Sequence, residues 1–132
     1  MSAGAKKISV LGNSLGLPGK LPLSLGIRAG DYIFTAGQVP YDDKGQVVEG
    51  GIEQQTCIAL ERIKAIMEEA GSSMEDIVKT TVYLQDTRDF ERFNIAYGKF
   101  FGEKPPARST VRVDLIFDFK VEIEAIAYAP QS

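Results

Sequence analysis

The chain contains no histidine, and this absence removes several kinds of catalytic site. Ser-His-Asp and Cys-His catalysis both need an imidazole, so both are excluded. Zinc sites that use histidine are excluded for the same reason, and the single cysteine, Cys57, cannot build a zinc site from several thiolates. Cys57 also cannot form an intrachain disulfide. This fits a reducing compartment, and we expect a cytoplasmic protein.

The chain also lacks an excess of positive charge and any long apolar run. Its 132 residues carry 15 Lys and Arg against 18 Asp and Glu, a net charge of −3, which disfavours a nucleic acid partner bound through bulk charge. No signal peptide or membrane span is evident, so we expect no membrane partner. The spaced glycines after Leu11 match neither a dinucleotide fingerprint nor a P-loop. The length predicts one domain over residues 1–132, with an irregular N-terminal segment at 1–22.

Hydrophobic periodicity predicts the element order β-β-α-β-α-β-β. Apolar residues recur at three- and four-residue steps over residues 52–70 and 88–101, which indicates two amphipathic helices. Strand propensity and turn residues predict strands at 23–28, 32–36, 78–84, 107–115 and 120–128. With a hairpin expected at each end, this order indicates an α+β fold, in which two helices cover one face of a single mixed sheet.

The alternation of side chains along the last two strands predicts what each sheet face carries. Val111 and Val113 are expected beneath the helices, which leaves Arg108 on the uncovered face. In the last strand Glu122 is expected on that same uncovered face. A face that mixes charge with large apolar groups is typical of a surface buried against another subunit. We therefore expect a homo-oligomer with its sites near the subunit contacts.

Arg108 and the glutamate-rich last strand, which carries Glu122 and Glu124, are the candidate functional elements. A guanidinium binds a carboxylate through two parallel hydrogen bonds, and a carboxylate on a neighbouring strand can activate water. If both face one pocket, the chain can bind a small carboxylic acid and hydrate it. Two plainer interpretations stay open. Arg108 can be a structural interface residue, and a terminal hairpin turning near Phe117 would place Arg112 opposite Glu122 as a simple ion pair.

Several segments, in the same order along the chain, resemble the RidA (YjgF) family of reactive enamine/imine deaminases from about residue 23 onward. The strongest are Pro106–Val111 and Val121–Ala127, supported by Thr35–Pro40, Asp76–Tyr83 and the pair Phe93-Asn94. The resemblance implies a chorismate-mutase-like fold and a homotrimer with three clefts between subunits. It also implies hydrolysis of 2-imino acids, such as those formed from 2-aminoacrylate, to 2-oxo acids and ammonia, with no metal or organic cofactor.

The resemblance also implies roles for individual residues. Arg108 would bind the carboxylate of a small substrate, and Glu122 would orient the attacking water. Asn94 and Gly37 correspond to positions near the family's pocket.

Three departures from the family pattern change the expected pocket. Leu23 stands where many members have tyrosine, Ala36 where a serine is common, and Thr110 where a cysteine is common. The pocket should therefore be less polar, which favours an imino acid that is bulkier or more apolar than 2-iminopropionate. Two other functions stay open. One is a non-catalytic sensor of carboxylate metabolites; the other is a ribonuclease-type activity, which the net charge and the lack of histidine disfavour.

Overall fold

The computed structural model describes residues 7–11 and 21–131, and its elements follow the predicted order with one addition. The strands are β1 (Ile8–Val10), β2 (Gly26–Ala29), β3 (Tyr32–Thr35), β4 (Ile77–Leu84), β5 (Ala107–Arg112) and β6 (Val121–Tyr128). The helices are α1 (Ile52–Glu69) and α2 (Phe90–Gly98), and short 3-10 turns at Met74–Asp76 and Thr87–Asp89 precede β4 and α2. No helix within the described ranges is long and apolar enough to span a membrane.

The strand β1 was not predicted. It pairs antiparallel with β2, so the expectation of an irregular segment over residues 1–22 is wrong for Ile8–Val10. Val10 is buried against Leu25 and Ile66 while its strand neighbours are exposed, so one side chain anchors this short edge strand. Residues 1–6 and 12–20 of that segment lie outside the described residues.

The six strands form one mixed sheet in the order β1-β2-β3-β6-β4-β5. The predicted N-terminal hairpin is confirmed, since β2 pairs with β3 and Gly30 adopts a positive φ of 61° in the turn. The C-terminal hairpin is wrong, because β5 and β6 lie on opposite sides of β4. Four β6 side chains are buried, and β6 occupies the centre of the sheet between β3 and β4. Arg112 pairs with β4 at Leu84, so the predicted cross-strand pair with Glu122 does not form.

Both helices pack on the same face of this sheet, as predicted. α2 is the crossover that connects the parallel neighbours β4 and β5. The core combines α1 residues such as Ile63 with Phe93 of α2 and the inward set of β6. That inward set is the predicted one: Val121, Ile123, Ala125 and Ala127 are all buried.

The face assignment of β5 is reversed from the prediction. Arg108 pairs with Thr80, a fully buried residue whose hydroxyl lies 2.7 Å from the Tyr97 hydroxyl of α2. Arg108 therefore lies on the helix side of the sheet. Val111 is 45% exposed on the other side. In this strand the apolar side chains of the alternating pattern face away from the helices rather than into the core. The pattern alone therefore predicted the wrong face of the sheet.

Candidate functional site

Four of the predicted site residues line one cleft. Leu23, Ala36, Gly37 and Glu122 surround a cavity of about 250 Å³ on one side of the chain. Its remaining walls are largely apolar and include Leu21, Leu25, Val39, Ile116, Phe117 and Phe119. The cleft also contains three polar or aromatic residues that the sequence did not single out, Gln38, Tyr41 and Arg62.

Gly37 is needed where it is because the Glu122 side chain packs directly on it. Gln38 pairs with β6 through two backbone hydrogen bonds to Ile123, of 2.7 and 3.0 Å, which hold the segment after β3 alongside β6. A Cβ atom at Gly37 would collide with the Glu122 carboxylate. A glycine here therefore gives the carboxylate its position at the wall of the cleft.

The environment of Glu122 favours its neutral form. Burial raises the pKa of Glu122, and the nearby charge of Glu124 raises it further. Glu124 itself accepts a hydrogen bond of 3.0 Å from the Tyr83 hydroxyl. Among the residues that the structure describes, no side chain forms an ion pair or hydrogen bond with the Glu122 carboxylate. An acid with a raised pKa and no fixed partner is suited to exchange protons with water.

Arg108 lies on the opposite face, against the aromatic side of α2. Its guanidinium carbon is 4.9 Å from the ring centre of Tyr97, 5.3 Å from that of Phe93 and 5.8 Å from that of Phe90. Such cation–π contacts hold a guanidinium in place while its N–H groups remain available. Within residues 7–11 and 21–131, no carboxylate pairs with Arg108.

Asn94 and Thr110 accompany Arg108 rather than Glu122. Asn94 lies on α2, and its buried Oδ1 has no hydrogen-bond partner in the described part of the chain. Thr110 lines a shallow groove with Phe90 and Val111. The seven predicted residues thus divide into two groups. Leu23, Ala36, Gly37 and Glu122 form the cleft, and Asn94, Arg108 and Thr110 belong to the α2–β5 side.

One chain does not bring Arg108 and Glu122 into one pocket. Glu122 pairs with Tyr83 and Arg108 pairs with Thr80 on the shared neighbour β4. These two β4 partners, Tyr83 and Thr80, are three residues apart. Because side chains alternate between the faces of a sheet, the side chains of Glu122 and Arg108 lie on opposite faces. The sequence-based expectation of one face for both is therefore wrong within a single copy.

Arg62 is one of the three cleft residues that sequence reasoning missed. It is only 7% exposed, and it belongs to the stripe of buried α1 positions at residues 52, 55, 59, 62 and 66. The sequence did contain a signal for it, because an arginine occupies a position in the stripe of α1 that otherwise faces the core. No group of three potential metal-binding side chains is found in the described ranges.

Known proteins with similar sequences and similar structures match most of this chain. A family model described as endoribonuclease L-PSP matches residues 18–129. The chain is 50% identical over 109 residues to a RutC family protein of Pyrococcus abyssi, covering 81% of this chain and 86% of that protein. It is 44% identical over 110 residues to the 2-iminobutanoate/2-iminopropanoate deaminase of Salmonella typhimurium, covering 80% and 86%. The crystal structure of E. coli TdcF with bound serine has a TM-score of 0.81 at 37% identity, covering 92% and 98%.

Proposed function

The chain belongs to the endoribonuclease L-PSP family, the RidA (YjgF) family that its motifs resemble, and we propose that it hydrolyses reactive 2-imino acids to 2-oxo acids and ammonia. The observation that carries this proposal is the Glu122 carboxyl at the cleft wall, with a raised pKa and no partner among the described residues. The Salmonella relative, named as a deaminase of 2-iminobutanoate and 2-iminopropanoate, supports the reaction type.

The complete site requires two copies of the chain. Glu122 and Arg108 lie on opposite faces, so the cleft of one subunit must meet the α2–β5 side of its neighbour for both groups to touch one substrate. Exposed apolar side chains support such an association, since Ile116 is 81% exposed and Phe117 is 63% exposed beside the cleft. Three subunits is the number that the family resemblance implies.

The reaction needs one anchor and one proton-transfer group. Arg108 of the neighbouring subunit would bind the substrate carboxylate and hold the C=N carbon near Glu122. A water oxygen bonds to that carbon while Glu122 takes one proton from the water. The C=N electron pair moves to the imine nitrogen, which takes a proton from solvent. The protonated Glu122 then gives its proton to the amino nitrogen of the tetrahedral intermediate. As the C–N bond breaks, the hydroxyl group of the intermediate gives its proton to solvent, ammonia leaves, and a 2-oxo acid remains.

The cleft favours a substrate side chain larger than a methyl group. Leu23 and Ala36 contribute no polar atom from their side chains, and the apolar residues around them enlarge the hydrophobic wall. The structure of TdcF contains serine, a small molecule with a carboxylate and an amino group on one carbon, as a 2-imino acid has a carboxylate and an imine. We therefore propose that 2-imino acids with side chains longer than a methyl group are preferred over 2-iminopropionate.

Ammonia release from freshly generated imino acids tests this function. Wild type is compared with Arg108→Ala and Glu122→Gln, and two exposed residues provide matched controls, Arg92→Ala and Glu68→Gln. Loss of a general base should slow the reaction by roughly 10²- to 10⁴-fold. The two controls should retain the wild-type rate. If Arg108→Ala deaminates as fast as wild type, the enzymatic proposal fails, and binding of 2-oxo acids without turnover would instead indicate a metabolite sensor.

A further inference from the structure

Arg62 is a buried cation with an incomplete set of partners. Its Nε donates to Gln38 Oε1 at 3.1 Å and its Nη1 donates to the Tyr41 carbonyl at 3.3 Å. Its Nη2 is buried and has no hydrogen-bond partner among the described residues. A buried N–H donor without an acceptor is costly, so this atom is a place where a ligand can add a favourable contact.

The charge of Arg62 is also not neutralised by a nearby acid. Burial lowers the pKa of Arg62, and Asp43 and Asp42 offset only part of this shift from a distance. Asp42 already accepts the backbone N–H groups of Lys44 and Gln46. No carboxylate in the described part of the chain forms an ion pair with Arg62.

Arg62 lines the same cleft as Glu122, and the two are joined through the cleft wall. Gln38 accepts from Arg62 and donates through Nε2 to the Ala36 carbonyl at 3.2 Å. Its backbone pairs with Ile123, next to Glu122. The cleft therefore has apolar walls, a carboxyl group suited to proton exchange, and a buried guanidinium that forms no ion pair with a carboxylate of the described residues.

We propose that Arg62 binds a second carboxylate, carried on the side chain of the substrate, so that the preferred substrates are 2-imino dicarboxylic acids. This rests on the deaminase function proposed above. Arg108 of the neighbouring subunit would hold the carboxylate beside the imine carbon, and Arg62 would hold the distal one. The methylene groups between them would lie against Leu23 and Ala36. On binding, the guanidinium turns its Nη2 N–H groups towards the ligand, which completes its hydrogen bonds.

A purely structural role for Arg62 makes a different prediction. If Arg62 only braces Gln38 and Tyr41, its removal should weaken every substrate equally. If it binds the distal carboxylate, its removal should weaken dicarboxylates alone. The comparison of two ligands that differ in that one group therefore separates the two roles.

Equilibrium binding of stable 2-oxo acids provides the test. Calorimetry compares 2-oxoglutarate with 2-oxobutanoate for wild type, Arg62→Met and Arg62→Lys. We expect Arg62→Met to weaken 2-oxoglutarate by roughly 10- to 100-fold, the range of a charge-assisted hydrogen bond, and to leave 2-oxobutanoate nearly unchanged. Arg62→Lys keeps the positive charge but loses the planar guanidinium group, so we expect an intermediate loss of affinity for 2-oxoglutarate. This variant remains informative if Arg62→Met does not fold.

Arg28→Met is the matched control, because Arg28 is buried to a similar degree but lies away from the cleft. Within residues 7–11 and 21–131, it donates only to the carbonyls of Gly30, Ala70 and Ala129. It should leave the ratio of the two affinities unchanged. An equal loss for both ligands in the Arg62 variants, or no preference for 2-oxoglutarate in wild type, would overturn the proposal. Arg62-dependent binding of 2-oxoglutarate without any imine hydrolysis would retain it and reject the deaminase function instead.

Discussion

Mixing two inactive variants should restore activity, because the proposed site takes one group from each of two subunits. Arg108→Ala keeps an intact Glu122 cleft, and Glu122→Gln keeps an intact Arg108 side. Since the two residues leave the sheet on opposite faces, each variant alone has no complete site. In a mixed ring, a cleft from the first variant can meet the α2–β5 side of the second.

The magnitude follows from random assembly. In an equal mixture, a given cleft has an intact Glu122 with a probability of one half, and its neighbour has an intact Arg108 with the same probability. About one quarter of all sites should then be complete, and this holds for any closed ring with one neighbour per cleft. The mixture should recover about one quarter of the wild-type rate, while each variant alone is slower by orders of magnitude.

The assay is ammonia release after the two variants are co-expressed or refolded together. Wild type mixed with the double variant provides the exchange control. Without exchange, about half of the sites stay complete; with full exchange, the fraction falls to about one quarter. If this control shows exchange and the mixture of single variants stays inactive, a site shared between subunits is refuted.

Three further results are expected. Gly37→Ala should lower the rate by displacing the Glu122 carboxylate, whereas Gly51→Ala, whose Cβ meets only the end of a flexible side chain at 3.4 Å, should not. In the proposed mechanism ionised Glu122 is the base, so the rate should fall as the pH falls through the raised pKa of Glu122. Glu124→Gln should lower that pKa and move the acid limb of a pH–rate profile to lower pH. Because the folded state raises the pKa of Glu122, its ionised form reduces stability at neutral pH. Glu122→Gln should therefore raise the Tm at pH 7, and this gain should vanish below pH 4.5, the ordinary pKa of a glutamate side chain.

Local periodicity was enough to predict the helices and the faces of the central strand. α1 was predicted over residues 52–70 and spans Ile52–Glu69, since its apolar stripe and Gly71, with a φ of 80°, mark both its face and its end. The β6 alternation was assigned correctly because this strand lies between two others and one of its faces is fully buried.

The same reasoning failed at β5 because that strand is an edge. Val111 and Val113 look like core residues, yet both are exposed and Arg108 takes the helix side. The order of the strands in the sheet could not be predicted from local patterns either. The sequence of residues 107–128 does not indicate that β4 lies between β5 and β6, because long-range packing determines that order. Seven candidate residues could thus be proposed from the sequence, but their division between two faces and the position of Arg62 in the cleft could not.

The division of charge gives a physical reason for the chain to associate. Among the residues described, the Glu122 carboxylate on one face lies in a partly apolar cleft and forms no ion pair, and the Arg108 guanidinium on the other face lies against aromatic rings and forms no ion pair. Each arrangement is unfavourable in a single copy because a partly desolvated charge lacks its partner. In the proposed assembly, bringing the cleft of one copy against the α2–β5 side of another would place both groups beside one bound carboxylate. A bound carboxylate would then neutralise the guanidinium and leave Glu122 free to act on water. Under the proposed function, the separation of Glu122 and Arg108 on two faces would therefore couple assembly to catalysis.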